Sequence, residues 1–221
     1  MVKCSIVFLG AALLTGCGHP AQKPLNSTAG QTAGASNSDP PATESAAPQQ
    51  IDPPTIDAGL SVEDAYAAIP HRRTVWDESA TSVPPQEAAY LGVIFKVMDE
   101  GVAVRVAGLQ NFQNQRFDNS NVVDQFDQLI AFARGMQAPK TLASFHEDVV
   151  EALSGQRQFF ADWKAQRDGF AFAQQPGNDP AVRSASDALH NAYNELMSKY
   201  PNESETNKEA FFDYPCALDF L

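Results

Sequence analysis

From Ile69 to Ser79 the chain reads Ile-Pro-His-Arg-Arg-Thr-Val-Trp-Asp-Glu-Ser, and His71, Arg72 and Arg73 are its densest run of groups able to hold an anion. Pro70 bars Ile69 from helical geometry. The three basic side chains therefore fall on an irregular segment, where backbone amides and guanidinium forks can converge on a carboxylate, a phosphate or a sugar acid. The alternative is structural: the arginines pair with acidic faces of the fold while Val75 and Trp76 plug its core. Arg105 poses a related question, because it lies on the apolar side of a helical pattern, seven residues after Met98 and four before Leu109. Arg167 falls similarly between Trp163 and Phe170. A guanidinium so placed must reach outward along its stem, meet an acid, or line a polar pocket inside the fold. His71, Arg72, Arg73 and Arg105 are accordingly the candidate ligand-binding residues.

Other chemistry is poorly represented. A di-iron carboxylate bundle needs two Glu-x-x-His units and further glutamates, whereas Asp187-x-x-His190 is a single weak match and His146 has no carboxylate one helical turn to either side. No Cys-x-x-Cys-His, His-Glu-x-x-His, Gly-x-Ser-x-Gly, Ser-x-x-Lys or Walker loop occurs. No catalytic residue, metal ligand or cofactor is assigned, and the missing motifs point away from an enzyme without excluding a site assembled from separated residues.

The chain opens with Lys3 and an apolar run from Ser5 to Leu14, then small residues before Cys17. A spanning helix needs about 20 apolar residues, and this run is too short, so it reads as a targeting segment. Leu14-Thr15-Gly16-Cys17 resembles the lipobox of bacterial lipoproteins. The resemblance covers the first 17 residues and implies a signal peptide over 1–16, removed so that Cys17 becomes the acylated first residue. It also implies a membrane anchor of several chains, such as diacylglycerol with palmitate, because a single chain anchors only weakly. It further implies residence at a bacterial cell membrane or outer membrane, facing the periplasm or the exterior. Gly18, in place of the aspartate associated with inner-membrane retention, favours the outer membrane in a double-membraned organism. Cys4 then leaves with the signal and Cys17 becomes a thioether, so only Cys216 keeps a thiol, read as a small buried hydrophobe.

The formal net charge of -12 argues against a nucleic-acid partner, which would need clustered Lys and Arg. Residues 17–59 contain no aromatic and few large aliphatic side chains. Such a segment cannot offset its ordering entropy and reads as a disordered Pro/Ser/Ala/Gly-rich tether, about 35 Å end to end as a flexible coil.

The remainder, 60–221, reads as one all-α domain. Ser61 and Asp64 cap a short helix that Pro70 ends. Leu91, Ile94, Phe95, Met98, Val102, Val106 and Leu109 mark one face of a helix from Gln86 to about Phe112, started by Pro84 and Pro85. Val122 to Ala133 forms a shorter one ending near Gly135. Leu142 to Phe170 would be a helix of about 30 residues, some 45 Å long, with Gly155 its weak point. Asp179 and Pro180 restart the chain in a helix that runs to Pro201. The apolar segment from Lys208 to Leu221 is expected to pack as a short helix or as a cap over one end. Short connections favour an up-and-down antiparallel helical bundle of about four main helices plus short terminal ones. The function this implies is a membrane-anchored envelope lipoprotein whose helical domain acts as a non-catalytic binding or interaction module, with the lipid bilayer and an envelope protein as partners. The alternative is a small anionic-ligand receptor or enzyme using His71, Arg72, Arg73 and Arg105.

Overall fold

The computed structural model describes residues 52–116, 121–166, 177 and 179–220, and among these the ordered elements are helices and turns with no strand. Six helices follow one another: α1 (Val62–Ala67), α2 (Pro85–Gln113), α3 (Val122–Gly135), α4 (Ala143–Gln166), α5 (Pro180–Lys199) and α6 (Glu205–Leu218). Residues 1–16, expected as a signal peptide, Cys17 and Arg167 lie outside the described residues.

The helix starts follow the local chemistry. The Ser61 hydroxyl accepts from the Asp64 amide, Asp179 accepts from Ala181 and Val182, and Ser204 accepts from Asn207, so each side chain satisfies an orphan donor of the first turn. Pro84 and Pro85 occupy the N-cap and first position of α2, where a proline loses nothing by lacking an N–H.

Side-chain contacts set the direction of each helix. Tyr90 meets His146 near the start of α2 and α4, and Gly101 and Gly108 lie against Leu153 and Phe160 further along, so these two helices run parallel. Val122 at the start of α3 abuts Gly108, near the far end of α2. On α5, Ala181 touches Gly155 and Lys199 donates to the Thr141 carbonyl, so α5 returns alongside α4. α6 then runs beside α5 in the opposite sense, with Phe212 against Tyr193 and Asp219 against Ser186. The result is the up-and-down antiparallel bundle.

Three expectations need adjustment. α2 is buried on nearly every side between Val97 and Gly108, since α1, α3, α4 and α6 surround it, rather than presenting one apolar stripe. α4 runs unbroken through Gly155, because this glycine is a contact point: a Cβ there would stand 2.6 Å from the Ala181 carbonyl oxygen of α5. Packing also begins before residue 60. Ile56 is buried in the core, and the Asp57 carbonyl accepts from the Gln125 side chain, so the stretch from Asp52 belongs to the domain rather than to the tether. One large aliphatic among prolines is enough to dock the segment.

Aromatic side chains fill the interior in two groups. Phe95 stacks on Tyr214 with ring centroids 4.4 Å apart and meets Trp76 and Phe145 edge-on. Phe160 gathers Phe112, Phe126, Phe159 and Phe220. α6 contributes Phe211, Tyr214, Ala217 and Leu218 to this core along its whole length, so the C-terminal segment takes the short-helix form of its expectation and lies along the bundle, not over one end.

Candidate functional site

Between α1 and α2 the chain runs as an extended strap, residues 70–84, interrupted by a single turn of 3-10 helix at Glu78–Ala80. No strand neighbours it among the described residues, so its backbone donors must be met by side chains or water. Side chains of α6 and its N-terminal turn meet several of them. The Thr74 amide donates to Asp213 (3.0 Å), and the Trp76 amide makes a long bond to the Tyr214 hydroxyl (3.4 Å). Asn207, fully buried, accepts from the Asp77 amide (2.9 Å) and returns a bond to the Asp77 carbonyl (3.1 Å). Glu203 accepts from the Ser82 amide and from the hydroxyls of Thr81 and Ser82. Burial pushes the Glu203 carboxyl upward, but bonds from Thr81, Ser204, Ser82 and Asn207 outweigh that and set its pKa at about 2.

Trp76 anchors the strap. Its ring stacks on Phe211 (5.3 Å between centroids) and meets Phe95 edge-on, while its indole Nε1 is buried with no hydrogen-bond partner among the described residues. Val83 is the strap's other buried side chain, and Val75, on the outer face, is 58% exposed.

The candidate basic residues go to different places. Arg73 turns inward and clamps Asp99 with two donors, Nε to Oδ1 (3.3 Å) and Nη2 to Oδ2 (2.6 Å), while Nη1 reaches Glu63 (3.2 Å). The Tyr66 hydroxyl donates to the same Asp99 oxygen as Nε, at 3.0 Å, and the Tyr66 ring lies under the guanidinium. Burial raises the Asp99 pKa, and the bonds from Arg73 and Tyr66 oppose that rise. Arg72 points the other way, 79% exposed and 3.7 Å from Glu209. Adjacent residues of an extended segment face opposite sides, which is why two neighbouring arginines separate.

Arg105 is buried. Its Nη2 donates to the Ala217 carbonyl (2.6 Å), its guanidinium lies over the Phe220 ring, and its Nε is buried with no hydrogen-bond partner among the described residues. Burial lowers its pKa to about 10, against the raising influence of Asp219 and Tyr66. Sequence reasoning expected a snorkelling side chain, a direct ion pair or a polar pocket inside the bundle. The fold instead holds the cation at the C-terminal end of α6, where unpaired carbonyls and the helix dipole are negative. Gln156 serves the same end from α4, donating to the Leu218 carbonyl. Asp219 accepts from Ser186 (2.8 Å) and lies 3.7 Å from His190.

His71 stands between these regions, its Nδ1 3.6 Å from the Cys216 sulfur. Burial and then the charge of Arg105 lower its pKa, with Asp219 and Asp213 opposing, so its imidazole is neutral at neutral pH. Cys216 is half-buried, less enclosed than a core hydrophobe. The structure therefore brings His71 within the electrostatic reach of Arg105, but sends Arg72 to solvent and Arg73 to Asp99. The four side chains form no common anion cradle, because Arg72 faces solvent, Arg73 faces Asp99 and Arg105 lies at the C-terminal end of α6.

His146 is occupied by the Tyr90 hydroxyl at 2.8 Å, and among the described residues no three His, Cys, Asp or Glu side chains gather as metal ligands. Sequence reasoning missed Asp99, Glu203, Asn207 and Asp213. For Asp99 a signal existed, since it is an acid inside the apolar stretch of α2. For the other three none did, because polar residues on a C-terminal helix and just before it look like solvated ones until the strap is seen lying on them. The chain matches no protein-family model, no curated protein and no solved structure.

Proposed function

We propose that this chain is a lipid-anchored protein of the bacterial envelope whose helical domain is a non-catalytic interaction module held near the membrane surface. The Leu14–Cys17 lipobox supports the anchor, with acyl chains on Cys17, and Gly18 supports an outer-membrane address in a double-membraned cell. No described helix is long and apolar enough to cross a membrane. One observation carries the reading of the domain: Arg73 turns three donors to Asp99 and Glu63, and Arg105 is buried at the C-terminal end of α6 with its Nη2 on the Ala217 carbonyl, so the two guanidinium groups do not face a shared cavity. A receptor or enzyme for a small anion would instead aim such groups together at a ligand.

A thermal-shift series with phosphorylated and carboxylated metabolites tests this, because a ligand selective for the native state raises the unfolding midpoint. The expected result is an unchanged midpoint throughout. A dose-dependent rise that Arg73→Ala or His71→Ala abolishes would return the domain to the anion-binding class.

A further inference from the structure

The strap is bound to its groove in the way that a separate peptide would be. Its contacts with α6 run through side chains that grip its backbone rather than through shared secondary structure. Asn207 pairs with both the amide and the carbonyl of Asp77, a grip that depends little on which side chain the gripped residue carries. Specificity then comes from two places, the aromatic slot between Phe95 and Phe211 and the Glu203 carboxylate that receives two adjacent hydroxyls. The buried Trp76 Nε1 has no partner among the described residues, so the slot suits an aromatic ring without requiring an indole. Trp76 and Val83 are the only buried side chains between Pro70 and Pro84. With two buried apolar anchors over fifteen residues, the strap depends on its polar grips to stay seated, and a segment that buries little apolar surface is one that can open locally.

We propose that strap 74–83 is a self-ligand, and that when it lifts, the groove between α2 and α6 receives an extended peptide of a partner protein, bearing an aromatic residue followed five and six residues later by Ser or Thr. The spacing is that of Trp76 to Thr81 and Ser82 in the strap itself. The proposal rests on the reading of the domain as an interaction module and names the surface through which it acts. Asp213, Asn207 and Glu203 offer acceptors to the incoming backbone, while Phe95, Phe211 and Tyr214 form the apolar floor.

The probe is a fluorescent synthetic peptide of residues 72–84, titrated against the full chain and against Trp76→Ala, whose aromatic slot is vacated. Binding to Trp76→Ala at least tenfold tighter than to the wild type is expected. It should weaken at least tenfold when Asn207→Ala is added or when the peptide's own Trp76 becomes Ala, whereas a peptide with Phe at that position should bind at least as well. A folded Trp76→Ala protein that ignores the peptide would overturn the proposal. Hydrogen exchange on the wild-type chain gives a reading that does not depend on that variant. The amides of Thr74, Trp76, Asp77 and Ser82 should exchange together, at least 100-fold faster than the core amides of α2, and exchange only through global unfolding would refute a lifting strap. Failure here with an unchanged thermal-shift series leaves an interaction module that works through another face. An anionic metabolite that shifts the midpoint removes the module reading itself.

Discussion

A guanidinium carries five N–H donors, and how many the fold consumes decides what else the side chain can do. Arg73 places three on Asp99 and Glu63, and Arg105 gives one to Ala217 while buried beneath Phe220. Arg73→Ala should therefore act as a stability mutation. We expect a loss of about 2–3 kcal/mol at neutral pH, the scale of charged hydrogen bonds, measured by urea unfolding. That deficit should shrink as pH falls, because Asp99, already raised by burial, then takes a proton and no longer needs its cation. Two further carboxyls make opposite pH predictions. Glu203, held at about 2, contributes stability that is complete above its unfolded value of 4.5 and is lost as pH falls toward 2. Glu203→Gln should accordingly lower the midpoint at pH 7, with the difference from wild type closing in acid. Asp148 is raised to about 6 by burial and then by Glu195, Glu151 and Glu147. Its native state binds the proton more tightly than the unfolded chain does, so stability falls as pH rises from about 4 to about 6. Asp148→Asn should raise the midpoint at pH 7 and leave it unchanged at pH 3. At this scale the sequence was legible only in part. The oddity of the His71–Arg73 run and of Arg105 was visible, but their partners Asp99 and Ala217 are 26 and 112 residues away and no local rule pairs them.

At the scale of elements, caps and glycines carry the account. Ser61, Asp179 and Pro180 could be read directly from the chain, since capping depends on neighbours within one turn. Close approach depends on the other helix, which is why Gly155 read as a weak point and is instead a contact with α5. Three alanine substitutions separate these roles. Gly155→Ala puts a methyl 2.6 Å from a backbone oxygen of α5, and Gly108→Ala puts one 2.6 Å from a Val122 methyl. Both should destabilise by about 1–3 kcal/mol through overpacking. Gly155→Ala should be the worse, because a backbone carbonyl yields less than a side chain. Gly135→Ala meets nothing within 4 Å and should be neutral or stabilising by up to about 1 kcal/mol. Thermal melts of the three variants order them. The same dependence on neighbours explains α2: apart from Arg105, the stretch Gly101 to Gly108 is small and apolar all round, a pattern of a central helix that a one-face reading overlooks.

For the whole molecule, the all-α bundle was legible because amphipathic helices with short connections have few ways to bury their faces. The starting point of the domain was not, since Ile56 docks through contacts with later helices. The function proposed for the molecule joins two independent parts, a lipidation signal at Cys17 and a domain whose cations serve its own architecture. The first part is the more directly measurable. Intact-mass analysis of the full chain extracted from the membrane fraction of a bacterial host should show a mature protein beginning at Cys17 and heavier by a diacylglyceryl group, usually with a further acyl chain, and Cys17→Ala should abolish that added mass. A chain that retains residues 1–16, or one that starts elsewhere with no acyl group on Cys17, would contradict the account.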